Sequence, residues 1–310
     1  MTTSTEVVTS GEPAVTGASG RRRLSEGARA ERRLGWLLCA PAVIAMLLVA
    51  GYPIFYAVYL SLQRYDLRFP QLAHFVGLSN YGAVLSSSYW WHALIVTLII
   101  TVVSVAIEFA LGMLLALLMY RTIFGRGTVR TTILIPYGIV TVAAAFGWQY
   151  AWTPHIGYLV GSNAPLTKTG SAIAIIILAE IWKTTPFMAL LLMAGLSLVP
   201  EDLLKAARVD GATAWQRFYR VTLPLMKPAI LVALLFRTLD AFRIFDNIYV
   251  LTAGGNGTYS VSILGYDNLF TALNLGIGSA ISILIFICVA IIAFIFIRIF
   301  GAAAPGTTGR

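Results

Sequence analysis

Six long apolar runs constrain the fold of this chain more than any other feature. A run of about 20 apolar residues is long enough to cross the hydrocarbon core of a bilayer as an α-helix. The runs lie at about 35–62, 93–120, 132–152, 172–199, 229–251 and 277–300. With 58% hydrophobic and only 11% charged residues, the composition excludes an ordinary soluble domain. We therefore predict an all-α membrane protein with six transmembrane helices.

The basic residues give the orientation of these helices. Sixteen of the 22 lysines and arginines lie in the N-terminal tail, the segment 121–130, the loop 200–227 and the C-terminal end. The alternate loops hold only three, Arg64, Arg68 and Lys168. Because positive loops stay in the cytoplasm, both termini are predicted to be cytoplasmic. Residues 1–33 have the composition of a disordered basic tail, and 301–310 form a short second tail. This placement explains the net charge of +9 without a nucleic-acid partner.

The loop 200–224 between the fourth and fifth runs is rich in charged residues and must therefore lie in water. Its sequence predicts two short helices. Gly211 would end the first, since glycine reaches the left-handed conformation without a Cβ clash. Thr213 and Gln216 form a capping-box pattern at the start of the second, and Pro224 would end it. The loop also carries exposed apolar and aromatic residues, which indicates an element that docks into a partner's groove.

The spacing within this loop resembles the EAA loop of permeases of bacterial ATP-binding-cassette (ABC) importers. Ala206-Ala207 is followed, after three intervening residues, by Gly211 and then, after nine more intervening residues, by Val221-x-Leu223-Pro224. Lys205 stands where that family has a glutamate. In the family the loop forms cytoplasmic coupling helices that sit in a cleft of the ATPase subunit. The resemblance assigns ATPase coupling to Ala206, Ala207, Asp210, Gly211, Ala212, Trp215, Phe218, Leu223 and Pro224.

Two further stretches are similar to the carbohydrate branch of these permeases, the MalF- and UgpA-like members. They are Gly77 to Tyr81 (GLSNY) and Phe236 to Gly255. The resemblance implies the type I importer permease fold in a bacterial cytoplasmic membrane. It implies as partners a second similar permease, two copies of an ABC ATPase and an extracytoplasmic sugar-binding lipoprotein. It also implies a sugar substrate, with a disaccharide such as trehalose favoured by the similarity over the whole chain.

Charged residues within the apolar runs are candidates for a translocation path. A charge at the bilayer centre costs about 2.5–3.5 kcal/mol on insertion scales, so these groups should face the protein interior or water. Glu180 and Lys183 are spaced for a mutual ion pair, and Pro186 is expected to unwind the fourth span locally. Arg237, Asp240, Arg243 and Asp246 recur every third residue with alternating sign, which favours pairing along one stripe.

Together with the resemblance, these patterns assign the substrate path to Glu180, Lys183, Thr184, Phe187, Arg237, Asp240, Arg243 and Asn247. Arg237, Asp240, Thr184 and Phe187 are the positions carried over from the family, with Arg243 as an alternative. Structural ion pairing remains the competing interpretation for each charged residue.

Two other functional classes compete with an importer permease. In an ion-driven secondary transporter the membrane acids would be proton or sodium sites. In a membrane-embedded glycosyltransferase Glu108 or Asp240 would act as a base. The chain has no Gly-Lys dipeptide and hence no phosphate-binding loop of the G-x-x-x-x-G-K-[ST] type. We therefore expect a non-catalytic subunit that binds no cofactor or metal itself and relies on a partner ATPase to use ATP and Mg²⁺.

Overall fold

The computed structural model describes residues 26–121 and 126–301. Most of the predicted N-terminal tail, part of the basic loop 121–130 and the C-terminal tail after Gly301 lie outside these ranges. The chain divides into two compact units, Met1–Ile54 and Phe55–Arg310. The described part of the first unit is helical. The second unit contains all the polar sites analysed below.

The described residues form fourteen α-helices and one short β-hairpin. The helices are α1 Glu26–Met46, α2 Tyr52–Ser61, α3 Ser79–Ser86, α4 Ser88–Arg121, α5 Arg126–Gly138, α6 Thr141–Ala151, α7 Thr169–Leu196, α8 Glu201–Val209, α9 Ala214–Arg217, α10 Leu223–Leu225, α11 Lys227–Phe242, α12 Asp246–Thr252, α13 Val261–Tyr266 and α14 Leu275–Gly301. The strands are β1 Gln63–Arg64 and β2 His74–Phe75, paired antiparallel. π-Helical turns lie at Leu47–Gly51, Phe218–Thr222 and Asp267–Thr271, and 3₁₀ turns at Pro70–Leu72 and Pro165–Thr167.

Four helical segments of the described chain are long and apolar enough to cross a membrane. They are Arg33–Ser61, Ser88–Tyr120, Thr169–Leu196 and Leu275–Arg298, which coincide with the first, second, fourth and sixth apolar runs. The third run is not one straight helix, because α5 and α6 meet at an angle of 84°. Counted as one bent span, this pair gives a fifth crossing. The all-α membrane architecture is confirmed.

The fifth apolar run also differs from a simple helix. It is divided into α11, of 16 residues, and α12, of seven, with Arg243 to Phe245 between them. Asp246 begins α12, where a negative charge is favourable at the positive end of the helix dipole. Two of the predicted spans are therefore broken. The breaks define what we call the α5–α6 break, at Ile139 and Val140, and the α11–α12 break, at 243–245.

The predicted unwinding of the fourth span at Pro186 is wrong, because α7 is continuous from Thr169 to Leu196. A proline inside a helix removes one backbone donor. Here the preceding turn carries extra bonds, since the hydroxyls of Thr184 and Thr185 donate to the carbonyls of Glu180 and Ile181 at 2.7 and 2.6 Å. Pro186 itself is buried. Tertiary packing therefore outweighs the local effect of the proline.

Helices α4 and α7 form the centre of the second unit. At Gly112 of α4 the backbone approaches α7 so closely that an added Cβ would lie 3.3 Å from the amide nitrogen of Ala189 and 3.1 Å from Cβ of Met188. Buried apolar residues from α4, α7 and α11 pack together toward the loop 200–224. A second apolar cluster joins α4, α6, α7 and α12. Glycine at 112 thus allows the close contact on which this arrangement depends.

The loop 200–224 folds as predicted at its start. Helix α8 ends in a Schellman motif, in which Gly211 has φ of +78° and its N–H donates to the carbonyl of Arg208 at 3.1 Å. The capping box of Thr213 and Gln216 is present at the start of α9. The predicted stop at Pro224 is wrong. This proline lies in the first turn of α10, where a helix needs no backbone donor.

The connector between α2 and α4 is held by the asparagine of the GLSNY stretch. Asn80 is buried, and its Nδ2 donates to the carbonyls of Ser61 and Gln63 at 2.9 and 2.8 Å. The hydroxyls of Tyr81 and Ser61 lie 2.7 Å apart. These bonds anchor the connector at the end of α2, which gives the stretch a structural role.

Candidate functional site

A polar cavity of about 580 Å³ lies where the two breaks meet α7. It is lined by Tyr137, Ile139, Val140 and Thr141 around the α5–α6 break, by Glu180, Lys183 and Thr184 of α7, and by Asp240, Arg243, Ile244, Phe245, Asp246 and Asn247 around the α11–α12 break. Irregular backbone at membrane depth is tolerated where it is buried in protein or lines a water-filled cavity. The cavity therefore accounts for the position of both breaks.

Six of the eight residues assigned to the substrate path line this cavity: Glu180, Lys183, Thr184, Asp240, Arg243 and Asn247. Arg237 and Phe187 do not. Phe187 stacks on Tyr137, with ring centroids 5.2 Å apart and an interplanar angle of 12°. Phe187 therefore packs against Tyr137, which lines the cavity, and does not line the cavity itself.

Arg237 is fully buried at the centre of an ion network. Its Nε and Nη2 donate to the two carboxylate oxygens of Glu108 at 2.5 and 2.9 Å. Nη2 also donates to Glu180 Oε1 at 2.7 Å, and Nη1 donates to Asp240 Oδ2 at 2.8 Å. The network joins α4, α7 and α11. Carboxylates of the protein itself therefore balance the positive charge of Arg237 and accept its hydrogen bonds.

Glu108 is the residue of this network that the predicted substrate path did not contain. Its side chain is fully buried, and it also accepts a hydrogen bond from the Thr184 hydroxyl at 2.8 Å. Glu108 lies 129 residues from Arg237 in the sequence. A signal for it exists in the sequence, since a single acid in the second apolar run needs a cation from another run.

Glu180 connects the two halves of the broken fifth segment. One carboxylate oxygen accepts from Arg237 of α11, and the other accepts from Asn247 Nδ2 of α12 at 2.5 Å. The predicted ion pair between Glu180 and Lys183 is wrong. Both oxygens of Glu180 are already engaged, and the Nζ of Lys183 donates to the backbone carbonyl of Ile139 at 2.5 Å.

Of the ion pairs predicted along the stripe of alternating charges, only the first one forms. Arg237 pairs with Asp240, but neither Arg243 nor Asp246 makes an ion pair with any residue that the structure describes. The α11–α12 break interrupts the helical spacing on which the later pairs depend. Asp240 and Arg243 remain exposed at the cavity.

In the loop 200–224 the assigned coupling residues fall into two groups. Ala206, Asp210, Gly211, Trp215 and Pro224 are exposed, and Ala207, Ala212, Phe218 and Leu223 are half-buried. Trp215 is 71% exposed, and its ring lies 5.8 Å from that of Phe218, which packs against the core shared by α4, α7 and α11. The exposed group, which includes Trp215, is the surface available to a partner.

Lys205, the residue that departs from the family motif, pairs with its own helix. Its Nζ lies 3.7 Å from Glu201 and 3.4 Å from Asp202, and all three side chains are exposed. Surface pairs of this kind contribute little to stability. Over the described ranges, no cluster of His, Cys, Asp or Glu is arranged to hold a metal ion.

Comparison with known proteins gives the family. Residues 108–306 match the model of the binding-protein-dependent transport system inner membrane component. The chain belongs to this family. The membership favours the importer interpretation over the ion-driven transporter and the membrane enzyme, and it makes this chain a non-catalytic translocation component of the inner membrane.

Relatives in this family are similar over most of their length. The chain is 64% identical over 281 residues to the trehalose transport system permease protein SugA of Mycobacterium tuberculosis, covering 89% of this chain and 92% of that protein. It is 40% identical over 279 residues to the trehalose/maltose transport system permease protein MalF of Thermococcus litoralis, covering 87% and 94%. A crystal structure of a bacterial ABC transporter that imports alginate matches the fold with a TM-score of 0.77 at 23% identity, covering 90% of this chain and all of that one. The importer permease fold is confirmed.

Proposed function

We propose that this permease is half of the translocation path of an ATP-driven importer for a neutral disaccharide such as trehalose. The 64% identity to a trehalose permease carries this proposal. The cavity supports it, because the exposed carboxylate of Asp240 and the exposed guanidinium group of Arg243 offer acceptors and donors to sugar hydroxyls.

The charges of the cavity favour a neutral substrate over a phosphorylated one. Its lining includes three carboxylates, Glu180, Asp240 and Asp246, and two cations, Lys183 and Arg243. The lining thus carries a formal charge of −1, which repels an anionic sugar. One more distant relative, the sn-glycerol-3-phosphate transport system permease protein UgpA of Agrobacterium fabrum at 34% identity, is named for a substrate that carries a phosphate.

The proposed importer contains this chain, a second similar permease, two copies of an ABC ATPase and an extracytoplasmic sugar-binding lipoprotein. The exposed group of the loop 200–224 would dock in the ATPase, with Trp215 as its aromatic anchor. ATP and Mg²⁺ would be used by the ATPase alone. Both termini would lie in the cytoplasm, as the distribution of basic residues predicts.

Reconstitution of the complex tests this function. The assembled importer in proteoliposomes is given binding protein loaded with trehalose, maltose or sn-glycerol 3-phosphate, and sugar uptake and ATP hydrolysis are measured together. We expect stimulation by the neutral disaccharides and none by the phosphorylated substrate. Stimulation by the phosphorylated substrate alone would refute the proposed specificity, and absence of an ATPase from the purified complex would refute the importer.

A further inference from the structure

Lys183 differs from the other charged residues of the cavity in what it binds. Its side chain makes no salt bridge with any carboxylate of the described chain, and its Nζ donates to the backbone carbonyl of Ile139. Ile139 directly follows α5 and begins the α5–α6 break. Lys183 is only 8% exposed, and its Nζ lies 6.0 Å from the centroid of the Tyr137 ring, also at the end of α5.

The end of a helix is a place where a cation has a structural effect. The last four carbonyls of a helix have no partner within it, and together they carry a partial negative charge. At membrane depth such groups must be satisfied by the protein, since lipid offers no donor. The ammonium group of Lys183 supplies both the donor and the charge at the point where the chain turns by 84°.

The same turn of α7 holds the second break through Glu180. Its carboxylate accepts from Arg237 of α11 and from Asn247 of α12. One helical turn therefore binds both broken segments, and the cavity lies between them. A residue that fixes a cavity wall in this way has a different role from one that binds the substrate.

We propose that Lys183 is a positioning residue for transport, which holds the α5–α6 break and thereby one wall of the cavity, and that it does not select the sugar. The transport part of this proposal rests on the proposed function. The structural part concerns only the angle between α5 and α6, so the two can be tested in the same samples.

Distances across the break test the structural part. Spin labels are placed on cysteines at Ile135 and Phe146, which are exposed on either side of the break, after Cys39 and Cys288 are replaced by serine. Pulsed electron paramagnetic resonance then measures the label-to-label distance in the assembled complex in nanodiscs. We expect Lys183→Met to shift or broaden the distance distribution.

Lys183→Arg should keep the parent distribution, because arginine retains both charge and donors. Lys168→Met is the matched control, since Lys168 is exposed at the start of the same helix. An unchanged distribution in Lys183→Met would overturn the proposal, whatever its transport rate.

Uptake of several disaccharides separates positioning from recognition. If Lys183 only holds the wall, Lys183→Met should lower the uptake of trehalose and maltose by the same factor, at least tenfold. If Lys183 binds the sugar, the ratio of the two uptakes should change, and this result would also overturn the proposal. Failure of the parent complex to import any sugar would refute the proposed function instead, while the distance measurement would still decide the role of Lys183.

Discussion

Replacement of Arg237 by methionine tests whether the buried ion network stabilises this permease. The guanidinium group is fully buried and makes four charge-assisted hydrogen bonds, to Glu108, Glu180 and Asp240. Arg237→Met has a similar length but leaves the carboxylate of Glu108 buried without a cation. Removing one partner of a buried ion pair costs about 3–5 kcal/mol.

This cost converts into a measurable shift in melting temperature. A change of 1 kcal/mol shifts the melting temperature by roughly 2–4 °C for domains of about 150–250 residues, so Arg237→Met should melt on the order of 10 °C lower. The assay is thermal unfolding of the purified complex in detergent. Arg243→Met is the matched control, because Arg243 is exposed and makes no ion pair within the described chain, and it should melt within about 2 °C of the parent.

A second variant identifies the cause of the loss. Glu108→Leu combined with Arg237→Met removes one orphaned carboxylate along with the arginine. Because an apolar replacement of a whole buried pair is often nearly neutral, the double variant should recover at least half of the lost melting temperature. Arg237→Met melting like Arg243→Met, or a double variant less stable than the single one, would refute this account of the network.

Three further outcomes are expected from residues outside the long apolar runs. Gly211→Pro should uncouple ATP hydrolysis from transport, because proline fixes φ near −65° and lacks the N–H that Gly211 donates to α8. If ATP hydrolysis and transport stay coupled in this variant, the coupling role of the loop is contradicted. Trp215→Ala should leave the melting temperature unchanged but reduce copurification of the ATPase at least tenfold, with Tyr158→Ala, an equally exposed aromatic residue, as control. The guanidinium group of Arg68 lowers the pKa of the Asp66 carboxyl to about 2, so this salt bridge persists above the ordinary carboxyl pKa of 3.8 and is lost as the pH falls through about 2. In Arg68→Met, carboxyl ¹³C NMR should show the pKa of Asp66 raised toward 3.8 but still below it, because the backbone N–H of residue 68 continues to donate to this carboxylate; an unchanged titration would contradict the assigned cause.

Local features of this chain were predictable from sequence because their causes are local. The apolar runs reflect the thickness of a bilayer. The Schellman motif at Gly211 and the capping box of Thr213 and Gln216 depend only on neighbouring residues. The stop expected at Pro224 failed for a local reason as well, since the same residue suits the first turn of a new helix.

The pairing of buried charges was less predictable. Spacing along a helix identifies possible partners within that helix, but in the folded protein a charged residue can pair with residues of other helices instead. Glu180 and Lys183 satisfy the three-residue spacing, yet Glu180 binds Arg237 and Asn247 from other helices. The link between Glu108 and Arg237 spans 129 residues, and nothing in the local sequence of either residue specifies the other. The two breaks were missed for a related reason, since apolar periodicity does not reveal where a neighbouring helix supplies donors and acceptors.

The paired and unpaired charges of the cavity have different roles in this arrangement. Four of the five N–H donors of Arg237 and both carboxylate oxygens of Glu180 are engaged by the protein, so a sugar would compete with those bonds. Arg243 is exposed, and neither it nor Asp246 forms an ion pair within the described chain, although both line the same cavity. A sugar hydroxyl can bond to these two groups without displacing a protein partner. We therefore infer that the cavity combines a buried support centred on Arg237 with a sugar-contact surface at the α11–α12 break, and we expect substitutions at Arg243 to change sugar selection with little effect on stability.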